Sequence, residues 1–116
     1  MTSFINFLAL AQQFDRATTI NAIVLMGSHA RGDAGPYSDV DLVRFVAEEA
    51  ADLPGAGTHL LDGVLVVVSN VTPSQAEAWF TDPRQATATI AGLRTARALI
   101  DRQHSFAGLQ ARAQAF

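Results

Sequence analysis

The chain has 116 residues, eight basic against eleven acidic side chains for a net charge of −3, and 49% hydrophobic residues. It has no cysteine, which excludes a disulfide framework, a thiolate zinc site and a thiol nucleophile. All eight basic residues are arginine, so a Walker-type phosphate loop is excluded, and the mildly acidic balance argues against broad electrostatic binding of nucleic acid.

Phe4, Phe7, Leu8, Leu10, Ala11 and Phe14 recur at three- and four-residue spacing, which predicts an amphipathic helix over about residues 3–16, capped by Thr2 or Ser3. Residues 20–26 are apolar and branched apart from Asn21, stop at Gly27, and read as a buried strand. From 28 to 38 the composition of Gly, Ala, Arg, Asp and Pro predicts a turn, a short helix and a loop. Residues 39–46, Asp-Val-Asp-Leu-Val-Arg-Phe-Val, read as a second strand with its polar residues concentrated at the start.

An exposed Ala- and Gly-rich connection follows over 48–57. Residues 58–69 predict a hairpin around Asp62-Gly63, a strong short-range signal when apolar runs flank it. Thr72-Pro73-Ser74 opens a helix through about Phe80, with Glu77 as the expected capping-box partner, and Asp82-Pro83 starts another short one. Residues 96–101 are open between helix and strand. Phe106, Leu109, Ala113 and Phe116 fit a final helix. There are no repeats or long linkers, and one domain over 1–116 is expected. No uninterrupted apolar run is longer than five residues, as in 64–68, which is far too short to span a bilayer, and the N-terminus does not read as a signal peptide. A soluble cytoplasmic domain is therefore the expectation.

The chemistry concentrates in Gly27-Ser28-His29-Ala30-Arg31-Gly32 and Ser38-Asp39-Val40-Asp41-Leu42. A strand that ends in Gly-Ser and turns into a helix points free amides out of the sheet edge, and glycine admits a phosphate close to the backbone. Asp39 and Asp41 alternate on a strand, so both carboxylates leave one face, about 6–7 Å apart at the backbone. Such a pair suits divalent metal held against a triphosphate. Taken singly, each block has a plainer reading: a common turn, and two aspartates that cap a helix or open a strand in solvent. Arg31 can reach a phosphate or form a surface salt bridge. Ser38 reads as a turn residue, and His29 as an exposed residue of the first helical turn.

Together, the two blocks at this spacing resemble the signature of the DNA polymerase β-like nucleotidyltransferase superfamily, in particular the bacterial minimal and aminoglycoside nucleotidyltransferases. The motif covers Gly27 to Leu42, and the preceding helix and strand fit the family layout. The resemblance implies an α/β (α+β) fold, a small mixed twisted sheet with helices mainly on one face. It implies that Gly27 and Ser28, with Arg31, bind a nucleoside triphosphate, expected to be ATP. It implies that Asp39 and Asp41 are the catalytic carboxylates and hold Mg²⁺ (or Mn²⁺) while a hydroxyl acceptor, small molecule or protein, attacks the α-phosphorus.

The sequence departs from this family at one place. A third carboxylate is normally carried by a neighbouring strand, which here is 64–69, Val-Leu-Val-Val-Val-Ser, with no acid in it. Asp62 reads as a turn residue, and Glu48 and Glu49 as surface residues that a loop can fold back. The three histidines match no zinc spacing, Trp79 reads as core, and Arg94 and Arg97 as a solvated face or an acceptor surface. The leading expectation is a minimal Mg²⁺-dependent nucleotidyltransferase that is slow for want of the third acid, acting alone, as a homodimer or with a partner. The competing one is a non-catalytic, antitoxin-like protein that pairs with a helical HEPN-type partner.

Overall fold

The computed structural model describes residues 5–116. Helix α1 (Phe7–Phe14) is shorter than its periodicity suggests. Asn6 caps it by accepting from the amide of Ala9, so the chain enters the helix at residue 7, and it leaves at Asp15. Phe4 and the expected caps Thr2 and Ser3 lie outside the described residues.

Strand β1 (Ile20–Met26) is followed by the single turn α2 (Ser28–Arg31), strand β2 (Val40–Val46) and a 3-10 turn at Glu48–Ala50. The hairpin β3 (Gly57–Leu61) and β4 (Val64–Val71) turns on Asp62 and Gly63, both at positive φ (49° and 79°), the backbone that favours Asp-Gly between twisted strands. Helix α3 (Pro73–Thr81) is capped by Thr72, which accepts from the amide of Gln75 while the Gln75 side chain accepts from the amide of Thr72. The capping-box partner is thus Gln75 and not Glu77, because the third residue after the cap is the one that reaches back. Glu77 instead binds Arg112 in a two-point ion pair that ties α3 to the last helix of the chain.

Helix α4 (Pro83–Thr95), expected to be short, runs for 13 residues and is capped by Asp82. The open segment is strand β5 (Arg97–Asp101), and α5 (Ser105–Ala115) closes the chain. The strand arises because β1 has a free edge: β5 pairs antiparallel along it, Ile23 opposite Ile100.

The sheet order is β3-β4-β2-β1-β5, with β2 and β4 parallel and the other neighbours antiparallel. Helix α1 covers one face, burying Ala11 and Phe14 on Ile23, Leu25, Val40, Leu42, Val66 and Val68. Helices α3, α4 and α5 cover the other, burying Phe80, Ile90, Leu93 and Phe106 on Ala22 and Val24. Two covered faces explain why β1 is a continuous apolar run. Trp79 packs edge-on to Phe45 at this second layer. Among the described residues, no helix is long and apolar enough to cross a membrane.

Arg44 is the polar exception among the buried residues of β2, only 2% exposed on the α1 face. Its guanidinium donates to the carbonyls of Phe14, Leu53 and Pro54 and to the side chain of Asn70. Burial lowers its pKa from the usual arginine value. The contacts fasten the 47–56 connection and the end of α1 to the sheet, which gives β2 a fixed frame.

Candidate active site

The β1–α2 turn and the start of β2 meet at one end of the sheet. Met26 pairs with Asp41 across the two antiparallel strands, so Gly27 sits directly beside the Asp41 side chain. Gly27 has φ 75° and ψ −153°, a backbone that glycine alone adopts readily. A Cβ there would lie 2.6 Å from Asp41 Oδ2. From this turn, α2 begins with the amides of Ser28 and His29 ahead of the first helical bonds, made by Ala30 and Arg31 to the Gly27 carbonyl.

Asp41 is half-buried on the sheet face that carries Val43 and Phe45, and Asp39 is exposed one residue ahead of the strand. Burial, and then the charge of Asp39, raise the Asp41 pKa above its ordinary carboxylate value, with His29 and Arg31 pulling the other way. Gly27, Ser28, Asp39, Asp41 and Arg31 are therefore gathered at one sheet end. Arg31 is half-exposed and pairs with Asp33 at 3.3 Å.

His29 differs from its expected exposed position. It is half-buried, donates from Nε2 to the carbonyl of Ser38 at 3.2 Å, and packs its ring against Phe7, centroids 5.5 Å apart. Ser38 is a turn residue, its hydroxyl accepting from the amide of Gly35.

The parallel register of β2 and β4 fixes which strand face looks at the carboxylates. Val67 stands opposite Asp41, while Val66 and Val68 are buried on the α1 face. The Asp41 face of β4 thus carries Leu65, Val67 and Ser69, with no acid. Leu60, paired with Leu65 across the hairpin, continues this face as an exposed apolar step. Among the described residues no other acid fills the place. Glu48 lies at the far end of β2, where it accepts from the amide and hydroxyl of Ser74 at the start of α3, and Glu49 is beside it. Asp62 stays in its turn. Arg94 is a structural tie, donating to the carbonyl of Ala113, and His59 hydrogen-bonds the carbonyl of Gly55.

The donor chemistry suits a hard divalent cation: two carboxylates side by side, whose repulsion a cation relieves, next to amides that suit phosphate. Among the described residues no third acid or histidine joins them to complete a protein-only metal site, so a cation here would take its further ligands from outside the protein.

A five-stranded mixed sheet carries a strand-Gly-Ser-helix turn beside an Asp-x-Asp strand. Residues 9–89 match the model of the nucleotidyltransferase domain, and the chain belongs to that domain family. Among solved structures it is similar to a nucleotidyltransferase-like protein from Exiguobacterium sibiricum 255-15, with a TM-score of 0.63 and 12% identity over 91% of this chain. The chain spans 36% of that protein's length. It is also similar to a chain of a toxin–antitoxin structure with AMP-PNP, with a TM-score of 0.55, 14% identity, and coverage of 96% of this chain and 86% of that one. No curated protein matches the chain.

Proposed function

We propose that the chain binds Mg²⁺ and a nucleoside triphosphate, ATP in the first instance, and transfers the nucleoside monophosphate to a hydroxyl acceptor at a low rate. The observation that carries this reading is the close approach of the Gly27 turn to the Asp41 carboxylate, which sets a backbone suited to phosphate beside a carboxylate suited to a cation. The family match and the AMP-PNP of the toxin–antitoxin neighbour support the choice of nucleotide.

In this reading Gly27 lets the β- and γ-phosphates approach the backbone, and the amides and hydroxyl of Ser28 and His29's amide donate to them. Arg31 exchanges Asp33 for phosphate oxygen. Asp39 and Asp41 hold the cation, which supplies charge neutralisation at the phosphates when bound. The acceptor oxygen forms its bond to the α-phosphorus as the bond to pyrophosphate breaks, and the acceptor proton passes to water. Val67 occupies the place from which a third carboxylate would take that proton, and such help is typically worth about 10²–10⁴ in rate.

A second reading has a specific observation behind it. The apolar step of Leu60, Leu65 and Val67 beside Asp41, with a toxin–antitoxin protein among the similar structures, favours a protein partner whose binding is the main function. Incubation with α-labelled nucleoside triphosphates, Mg²⁺ or Mn²⁺ and a panel of aminoglycosides, proteins and RNAs separates the two. Slow, metal-dependent labelling of an acceptor supports transfer. Binding of triphosphate with no labelled product under any condition leaves the second reading standing and overturns the first.

A further inference from the structure

The phosphate turn and the carboxylate strand are separate pieces of chain joined by a loop at 33–38, and their relative position decides whether one ligand can touch both. That loop is poorly supported. Asp33, Gly35, Pro36 and Tyr37 are exposed, Tyr37 at 95%, and a cavity of about 550 Å³ separates the loop from the β3–β4 hairpin tip. The hydrogen bonds between Gly35 and Ser38 close the loop on itself only. Among the described residues, the single hydrogen bond from 34–38 to another element is the one from His29 Nε2 to the Ser38 carbonyl.

Both ends of that bond matter. His29 is the residue after Ser28 of the phosphate turn, and Ser38 is the residue before Asp39. A carbonyl can only accept, so the proton sits on Nε2, and the edge-on packing against Phe7 of α1 holds the ring in place. We propose that His29 is a positioning residue: through Ser38 it sets Asp39 against the Gly27–Ser28 turn, so that one metal–triphosphate complex meets both halves of the site. The inference rests on the triphosphate site proposed above. It assigns His29 no contact with the substrate through its ring and no proton to move.

The test compares wild type with His29→Phe, which keeps a ring against Phe7 but loses the donor, and His29→Gln, whose amide nitrogen can reach the same carbonyl. Calorimetry measures binding of ATP with Mg²⁺ and with EDTA, and amide hydrogen exchange follows residues 34–39. For His29→Phe the expected result is about tenfold weaker binding with Mg²⁺, as for loss of one hydrogen bond, with binding in EDTA unchanged and faster exchange across the loop. His29→Gln recovers most of the Mg²⁺-dependent affinity. Binding by His29→Phe equal to wild type overturns the inference while leaving the site intact. So does an equal loss with and without Mg²⁺ that His29→Gln does not repair, since that marks a general packing role. If wild type binds no triphosphate, the site reading itself fails and the inference falls with it.

Discussion

Asp41 Oδ2 lies only 2.6 Å from the point where a Cβ of residue 27 would be, so the Gly27 turn can approach the Asp41 carboxylate this closely only because residue 27 has no side chain. The strand pairing of Met26 with Asp41 enforces this approach, and the φ of 75° at Gly27 turns the chain away from the sheet immediately after it.

Gly27→Ala is accordingly expected to be costly on two counts. The backbone there disfavours an L side chain by about 1–3 kcal/mol, and the new methyl displaces the Asp41 carboxylate. Thermal or denaturant unfolding will show a loss of at least that size, and calorimetry a loss of Mg²⁺-dependent triphosphate binding. A variant as stable as wild type and fully competent to bind would refute the contact.

Asp41 makes a prediction about pH. A carboxyl whose pKa is raised on folding binds its proton more tightly in the folded state. Its contribution to stability is therefore highest below the ordinary value of 3.8, and is lost as pH climbs from there through the raised folded value. Asp41→Asn removes the ionised, partly buried group and its repulsion with Asp39. Without metal, the variant will melt higher than wild type at pH 7 and show no such gain at pH 3. Its affinity for metal will fall by more than the roughly 10–100-fold that loss of a supporting group costs at metal sites.

The β4 register separates two valines that are adjacent in sequence. Val67→Asp places an acid on the Asp41 face, and labelled-nucleotide transfer is expected to rise toward the about 10²–10⁴ that general-base help confers. Val66→Asp puts the same acid into the α1 core, where Val66 is fully buried, and is expected to destabilise the fold by several kcal/mol, of the order of about 2–7 kcal/mol for an unpaired buried polar group. Equal effects of the two substitutions on activity and on unfolding would contradict the register.

Much of this arrangement is legible in the sequence because it is local. The β1 run ending at Gly27, the Asp62-Gly63 hairpin and the Asp-x-Asp alternation each reside in fewer than ten residues. Residues 96–101 are ambiguous in the sequence because their strand state depends on the free edge of β1, a partner more than 70 positions away in the chain. Arg44 looks like an ordinary polar strand residue. Only the tertiary structure supplies its four acceptors, from Phe14 to Asn70. The half-buried place of His29 is likewise hidden in the sequence, since its bond to Ser38 spans the loop. The face of β4 that meets Asp41 follows from the register with β2, which alternation alone leaves open. The capping partner Gln75 was within reach of the sequence, by counting three residues from Thr72.

The central claim is that Gly27, Ser28, Asp39 and Asp41 form one metal-dependent triphosphate site. Isothermal titration of the protein with ATP, in Mg²⁺ and in EDTA, for wild type and for the Asp39→Asn/Asp41→Asn double variant, tests it most directly. The expected result is tighter binding with Mg²⁺ than with EDTA in wild type, and no effect of Mg²⁺ in a double variant that remains folded. Absence of triphosphate binding at millimolar concentration with either Mg²⁺ or Mn²⁺, or an unchanged Mg²⁺ dependence in the double variant, would contradict it.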